Sequence, residues 1–396
     1  MPGFELFGEQ ERAHVNDVLQ SGVLMRYGFD GARSHWKARE LENALAQRMG
    51  AKYAHLVSSG TAALTIAMAS AGVGAGDEVI MPTFTFVATF EAILALGAVP
   101  VMVDVDDTLT LDPKAVEKAI SKHTKVIMPV HMCGSMADLD ALAALCRKHQ
   151  LLLIEDACQA IGASYKGKAL GSYGDLGCFS FDYVKTITCG EGGALITDNE
   201  AYYTHADHYA DHGHDHKGSD RGAESHPFLG YNYRISELHA AVGLAQIARL
   251  DDFLKIQKSN YTILRKRLNQ VPGITFRKVP EGGVENYSFL SFFLPTAVLA
   301  KKAQAALADA GIDGCFYWYD NNWHYHRQWE HLKDLKSLGF LPNQVRDNLP
   351  NYYKSDFSQS DHWVGRTISC LIKLGWKKEE VKQRAETMAQ VLGALV

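Results

Sequence analysis

Residues 151–197 read LLLIEDACQAIGASYKGKALGSYGDLGCFSFDYVKTITCGEGGALIT, and the rest of the chain is best read outward from them. An apolar strand at 151–154 ends in Glu155-Asp156-Ala157. That puts a carboxylate at the carboxyl edge of a buried parallel strand, where open α/β sheets keep their ligand crevice. Two more apolar stretches, 178–181 and 194–197, flank Lys185 and the flexible run Gly190-Glu191-Gly192-Gly193. A lysine in such a loop can be drawn into the interior.

A buried lysine is costly as an ammonium and shifts towards the neutral amine, the form that condenses with an aldehyde to a Schiff base. Pyridoxal phosphate is the cofactor that uses this. Its pyridine nitrogen works best as an electron sink when protonated, and a carboxylate such as Asp156 favours that state by about 1–3 pKa units. At roughly 1.4 kcal/mol per unit, this outweighs the modest desolvation of a half-exposed carboxylate. Taken singly, a loop lysine is usually a solvated charge and an aspartate after a strand is usually a helix cap. Their joint occurrence with the glycine run carries the reading.

Further motifs follow the same order along the chain: Ser58-Ser59-Gly60-Thr61-Ala62-Ala63-Leu64, Pro82-Thr83-Phe84-Thr85-Phe86-Val87, Pro129-Val130-His131, Glu155-Asp156-Ala157-Cys158-Gln159-Ala160, Ser180-Phe181 with Lys185, and Gly230-Tyr231-Asn232-Tyr233-Arg234. With these motifs the chain, from Gly8 to about Asp251, resembles the DegT/DnrJ/EryC1 family of sugar aminotransferases. The resemblance implies fold type I of the pyridoxal-phosphate enzymes, an aspartate aminotransferase-like α/β fold. It divides the chain into a large cofactor-binding domain with a mostly parallel sheet, residues 1–250, and a smaller C-terminal α/β domain, residues 251–396.

The family's roles carry over one position at a time. Lys185 resembles the catalytic lysine that bonds the cofactor, Asp156 the partner of the pyridinium, and Gln159 the donor to the ring's phenolic oxygen. Phe86 resembles the aromatic residue stacked on the pyridine face. For the phosphate, Gly60, Thr61 and Ala62 open a helical stretch whose free amides suit an anion; Ser180 resembles an added hydroxyl. Asn232 resembles the residue that reaches the neighbouring subunit's phosphate, so a homodimer with shared active sites is expected.

Composition bounds the other possibilities. A chain of 396 residues is too long for one compact core and suits two domains. Its net charge of -5, without a sustained Lys/Arg run, gives no reason to expect nucleic acid. Residues 1–12 have neither a basic start nor an apolar core, and the apolar run 92–103, broken by Gly97 and Pro100, is shorter than a bilayer span. No membrane partner is expected. Seven cysteines, an odd number without paired spacing, fit a reducing cytoplasm and buried filler better than disulfides or a zinc site.

Helical periodicity marks 9–20, 38–49, 61–71 and 137–149, with strands at 78–81, 99–103, 126–129 and 151–154. Residues 238–269 read as one long or broken helix. Strands at 274–277 and 287–294 and a helix at 300–310 begin the second domain.

Three segments bear on substrate. The run 205–216, HADHYADHGHDH, has spacing that also arises on a polar helix face entering a loop; its histidines, among them His212, are expected to grip an oxygen-rich substrate rather than a metal. The aromatic run 315–329, CFYWYDNNWHYHRQW, reads as core or interface, or as a sugar-facing wall including Tyr319 and His324. Two stretches depart from the family pattern, Leu24-Met25-Arg26-Tyr27-Gly28 and Arg366-Thr367-Ile368-Ser369-Cys370-Leu371. The first adds Arg26, which with Arg33 offers guanidinium groups suited to a carboxylate, or else ordinary surface charges. His131 and Arg234 complete the candidate substrate set.

The resemblance implies amino transfer from L-glutamate to a carbonyl-bearing sugar. The first-ranked acceptor is an 8-oxo-3-deoxy-octulosonate, which would yield 8-amino-3,8-dideoxy-manno-octulosonate for lipopolysaccharide. The second is a nucleotide-linked 3-keto or 4-keto hexose. A free sugar acid calls for a cationic carboxylate clamp, a nucleotide sugar for a longer groove. A non-catalytic cofactor-binding protein would not need Lys185, Asp156 and Gln159 together.

Overall fold

The computed structural model describes residues 3–218, 220–333, 336–339, 341–352 and 354–396. Its strands, in chain order, are β1 (Tyr53–Val57), β2 (Glu78–Pro82), β3 (Val99–Val103), β4 (Thr124–Ile127), β5 (Leu152–Asp156), β6 (Ser164–Tyr165), β7 (Lys168–Ala169), β8 (Leu176–Ser180), β9 (Gly193–Thr197), β10 (Thr275–Phe276), β11 (Gly283–Val284), β12 (Phe289–Phe293), β13 (Cys315–Tyr317) and β14 (Thr367–Leu371). Seven of them form one sheet in the order β1-β9-β8-β5-β4-β2-β3. The run from β8 to β3 is parallel, and β9 alone is reversed, antiparallel to both β8 and β1.

Both faces of this sheet are covered, which is why its strands read as continuous apolar runs. Successive residues on β9 show it: Leu195 belongs to the layer of Ala63, Ile66, Met81 and Cys178, whereas Ala194 and Ile196 belong to the layer of Leu41, Leu45, Leu56 and Phe179. The strand period of two sends neighbours to opposite layers.

A second sheet, β10-β12-β14-β13, gathers its own core from Leu264, Leu290, Phe292, Ile368, Met388 and Leu392. Its other face turns Phe289 and Phe293 towards Phe84, Val130, Met132, Trp318 and Tyr325. Phe84 follows the carboxyl end of β2, and Val130 and Met132 that of β4, so the second sheet roofs the crevice. The stretch read as one long or broken helix is broken: Glu237–Ala248 and Leu250–Leu268 meet at Arg249, next to the division expected near residue 250. The block 366–371 is no pocket wall; Thr367–Leu371 is an inner strand of the second sheet. All seven cysteines are free, and no helix among the described residues is long and apolar enough to cross a membrane.

Candidate active site

Three chain reversals meet at the carboxyl edge of the large sheet around a cavity of about 240 Å³. The first is the start of the helix Gly60–Ser70. Ser59 caps it in extended backbone, its Oγ accepting from the Ala62 N–H at 3.1 Å, and the amides of Gly60 and Thr61 keep no intrahelical partner. Glycine at 60 is required by proximity, since a Cβ there would stand 2.7 Å from the Ser180 Cβ. The result is a set of donors at a helix N-terminus beside the Ser180 hydroxyl, a ready anion cradle.

The second reversal follows β5. Asp156 is 4% exposed and faces the cavity, with Oδ2 accepting from Thr89 Oγ1 at 2.8 Å and Oδ1 from the Cys158 N–H at 3.1 Å. Its neighbour Glu155 points the other way, into the protein, where it accepts from the N–H groups of Tyr173 (2.7 Å), Gly171 (2.8 Å) and Gly174 (2.8 Å) and pairs with His131 Nε2 at 2.9 Å. Burial pushes the Glu155 carboxyl up, but the His131 contact and the backbone amides outweigh it and hold it below the usual range. His131, expected as a substrate contact, is fully buried in this pair and does not line the cavity. Gln159 does line the cavity; its Oε1 accepts from the Cys133 N–H at 2.9 Å.

The third reversal joins β8 to β9. Bonds from Phe181 N to Gly192 O (2.9 Å), Cys189 N to Phe181 O (2.8 Å) and Lys185 N to Asp182 O (3.0 Å) close the loop, and the Gly3 N–H caps the Lys185 carbonyl at 2.9 Å. Lys185 is half-buried in the cavity wall and not drawn into the interior, the position its loop leads one to expect. Gly193 is fixed by crowding, because a Cβ would lie 2.2 Å from the Ser59 carbonyl oxygen.

An aromatic wall closes the mouth. Trp323 and His324 come from the segment before β14 and pair with the loop that carries Phe86: Val87 N donates to Trp323 O at 2.8 Å and Thr85 N to His324 O at 3.0 Å. The His324 ring stands 5.3 Å from Phe86 and 4.7 Å from Trp318. Burial, helped by the Lys185 charge, pushes His324 down to about 3, so the imidazole is neutral. Asn321 Oδ1 accepts from the Trp323 N–H (3.0 Å) and lies 2.8 Å from His324 Nδ1, which assigns the proton to Nδ1 and leaves Nε2 an acceptor. The aromatic run thus divides: Trp318, Tyr325 and Trp329 are core, Trp323 and His324 are wall.

The structure does not bring the remaining substrate candidates to this cavity. Arg26 is buried against Glu42 (2.6 Å) and the Leu56 carbonyl (2.7 Å). Arg33 is spent on the carbonyls of Met25 (2.8 Å), Gly28 (2.8 Å) and Arg26 (3.1 Å), with Glu237 3.6 Å away. Neither is a surface charge, and neither guanidinium is free to clamp a carboxylate. Arg234 is paired with Asp211, together with Arg221 and His216. His212 is an exposed turn residue at φ 55, and Tyr319 packs on Tyr325 with its ring 5.2 Å away. Asn232 is exposed, outside its own chain's cavity. Sequence reasoning missed Thr89, Trp323 and the Cys133 amide; Thr89 sits one helical turn beyond Phe86, the one signal that could have found it.

The donor set fits pyridoxal phosphate. An anion cradle, a carboxylate, an amide, an aromatic face and an amine converge on one cavity. Comparison with known proteins agrees. Residues 6–341 match the model of the DegT/DnrJ/EryC1/StrS aminotransferase family, and the chain belongs to it. Members of that family are pyridoxal-phosphate-dependent aminotransferases, and this chain is one of them. It is 34% identical over 308 residues to the GDP-perosamine synthase of Escherichia coli O157:H7, covering 77% of this chain and 80% of that one. A Streptoalloteichus tenebrarius protein assigned as an L-glutamine:3-amino-2,3-dideoxy-scyllo-inosose aminotransferase is 38% identical over 270 residues, 68% of this chain and 64% of that relative, less than two thirds of its length. Among solved structures, the aminotransferase from Psychrobacter cryohalolentis superposes with a TM-score of 0.85 at 26% identity, covering 98% of each chain. A 3-amino-5-hydroxybenzoic acid synthase gives 0.81 at 31%, covering 98% of this chain and 97% of that one.

Proposed function

We propose that the protein transfers an amino group from L-glutamate to a carbonyl-bearing sugar. The observation that carries this reading is the convergence of Lys185, Asp156, Gln159 and the unpaired amides of Gly60 and Thr61 on one cavity. Bound there, pyridoxal phosphate supplies an aldehyde for amine exchange and an electron sink for carbon–hydrogen bond breaking.

The chain's own residues do the rest. The amides of Gly60 and Thr61, with the Ser180 hydroxyl, hold the phosphate. Asp156, its oxygens held by Thr89 and Cys158, would face the ring nitrogen and favour the protonated ring. Phe86 fixes the ring plane. With the cofactor bound, Lys185 Nζ would take the proton from the donor's α-carbon and deliver it to the cofactor's former aldehyde carbon, as general base and then general acid. Asn232 reaches the phosphate of a second copy; its exposure beside the exposed side chains Phe228, Leu229 and Tyr231 supports a homodimer with shared sites.

For the acceptor, the 8-oxo-3-deoxy-octulosonate reading draws support from the cavity's mouth, where the rings of Phe86 and Trp323 and the free Nε2 of His324 offer a flat face and an acceptor to a polyol chain. Its carboxylate then needs a cation other than Arg26 and Arg33. A nucleotide-linked keto-hexose draws support from the likeness to the GDP-perosamine synthase, named for a nucleotide-linked amino sugar. The test loads the apoprotein with pyridoxamine phosphate, adds each acceptor in turn, and follows the visible band of pyridoxal. Return of the band with the free sugar acid supports the first reading, and return only with the nucleotide sugar replaces it. Silence with both puts the acceptor outside these two classes, or means that the protein does not transaminate. L-glutamate and L-glutamine compared in the reverse direction settle the donor.

A further inference from the structure

The side-chain amide of Gln159 can face the cavity with its oxygen or its nitrogen, and the two have opposite hydrogen-bonding sense. A backbone N–H can only donate, so the 2.9 Å contact from Cys133 N fixes Oε1 on the protein side. Nε2 is left for the cavity, and among the described residues it has no acceptor.

The Cys133 N–H is itself aimed by an uncommon turn. Cys133 has φ 55 and ψ 34, and Gly134 follows at φ 72. A non-glycine residue keeps the left-handed conformation only where its surroundings over-determine it. Here the surroundings reach over from the segment that joins β10 to β12. Arg277, 4% exposed, donates Nη1 to the Met132 carbonyl at 2.8 Å and Nη2 to the Cys133 carbonyl at 2.7 Å, and its Nε to Glu285 at 3.0 Å. Asn286, 1% exposed, donates Nδ2 to the carbonyls of Gln159 (3.0 Å) and Ile161 (3.1 Å), and its N–H to the Gly134 carbonyl (3.1 Å). The Ser288 N–H occupies Asn286 Oδ1 at 3.0 Å, so that amide is also fixed in sense. A side chain at 134 would begin 1.7 Å from Asn286 Oδ1.

We infer that Arg277 and Asn286 are positioning residues for the cofactor: they hold the 132–134 turn and the Gln159 backbone so that Gln159 offers an N–H donor, not a carbonyl, to the ring's acidic oxygen. The inference rests on the proposed reading of the cavity and deepens it. Neither residue lines the cavity, so the second sheet tunes the cofactor from outside.

A donor to the ring oxygen stabilises its anion, which then retains less strongly the proton on the neighbouring lysine-linked nitrogen. Losing the donor therefore raises the pH at which that proton leaves. One hydrogen bond corresponds to a shift of about half to one pH unit. The test titrates the visible absorbance of cofactor-loaded protein against pH for wild type, Arg277→Lys, Gln159→Leu and the double variant. Both single variants are expected to raise the midpoint, and the double variant to match Gln159→Leu alone. The clamp is overturned by an equal Arg277→Lys shift in both backgrounds, or by no Arg277→Lys shift while Gln159→Leu moves the midpoint. A Gln159→Leu chain with an unmoved midpoint overturns it one step earlier, at the contact between Gln159 and the ring. Wild type that takes up no cofactor fails the reading of the cavity instead, a result distinct from the other three. Asn286→Ser leaves the Arg277–Glu285 pair intact and repeats the measurement, with the same expected rise, should Arg277→Lys not fold.

Discussion

Polar groups crowd together in two regions, around Asp156 and around Asp211, and the regions differ in how much bonding capacity remains. Asp156 accepts one bond at each oxygen, from Thr89 and Cys158, and an ionised carboxylate has about four lone-pair sites. Asp211, with no exposed surface, is taken by His216 at 2.9 Å, by Arg221 at 2.9 and 3.2 Å, and by Arg234. Arg26 resembles Asp211, its guanidinium held by Glu42 and the Leu56 carbonyl, and Arg33 gives both Nη groups to three carbonyls, with only its buried Nε left unbonded. A polar group left half-satisfied at a cavity can take a ligand; one whose partners are all internal holds segments together.

The largest effect that tests this contrast is at Lys185. Lys185→Ala should lower amino transfer by about a hundred- to ten-thousand-fold in steady-state assays, with the thermal midpoint nearly unchanged because the side chain is only half-buried. Activity within tenfold of wild type would move the chemistry elsewhere. Asp156→Asn should cost about ten- to a thousand-fold, the equivalent of 1–3 pKa units of support for the protonated ring.

On the other side of the comparison, Arg26→Met leaves Glu42 buried without its partner. Urea unfolding should show a loss of about 3–5 kcal/mol, while the folded fraction keeps its turnover within about twofold. A variant that folds normally but loses acceptor affinity would restore Arg26 as a substrate residue. His216 gives the smallest and most specific effect. Burial lowers its pKa, but Asp207 and Asp211 outweigh burial and push it up to about 9. A raised folded-state value contributes stability that is complete below the ordinary 6.5 and disappears as pH rises through about 9. The gap in thermal midpoint between wild type and His216→Gln should follow that course, and a gap independent of pH would contradict it.

Much of the site was legible because its signals are local. Asp156 ends an apolar strand, Lys185 sits between two others, and Gly60 opens a helix, so each role follows from a few neighbouring residues. Adjacent acids also sort themselves: the alternation of a strand sends Asp156 to the cavity and Glu155 to His131. The surroundings of Arg26 and Arg33 are not legible, for the opposite reason. Glu42 lies 16 residues from Arg26, and Glu237 about 200 residues from Arg33, so nothing near either arginine marks the partner that spends its charge. The Arg277–Asn286 clamp was invisible on the same grounds, since its contacts with 132–134 and with Gln159 span well over a hundred residues. The break at Arg249 went unplaced because both helices around it carry helical periodicity.

The most direct test of the central claim is covalent. Protein loaded with pyridoxal phosphate is reduced with borohydride, digested, and searched by mass spectrometry for the added pyridoxyl group. One modified position is expected, Lys185, abolished in Lys185→Ala. A pyridoxyl group on any other lysine, or none at all, would contradict it.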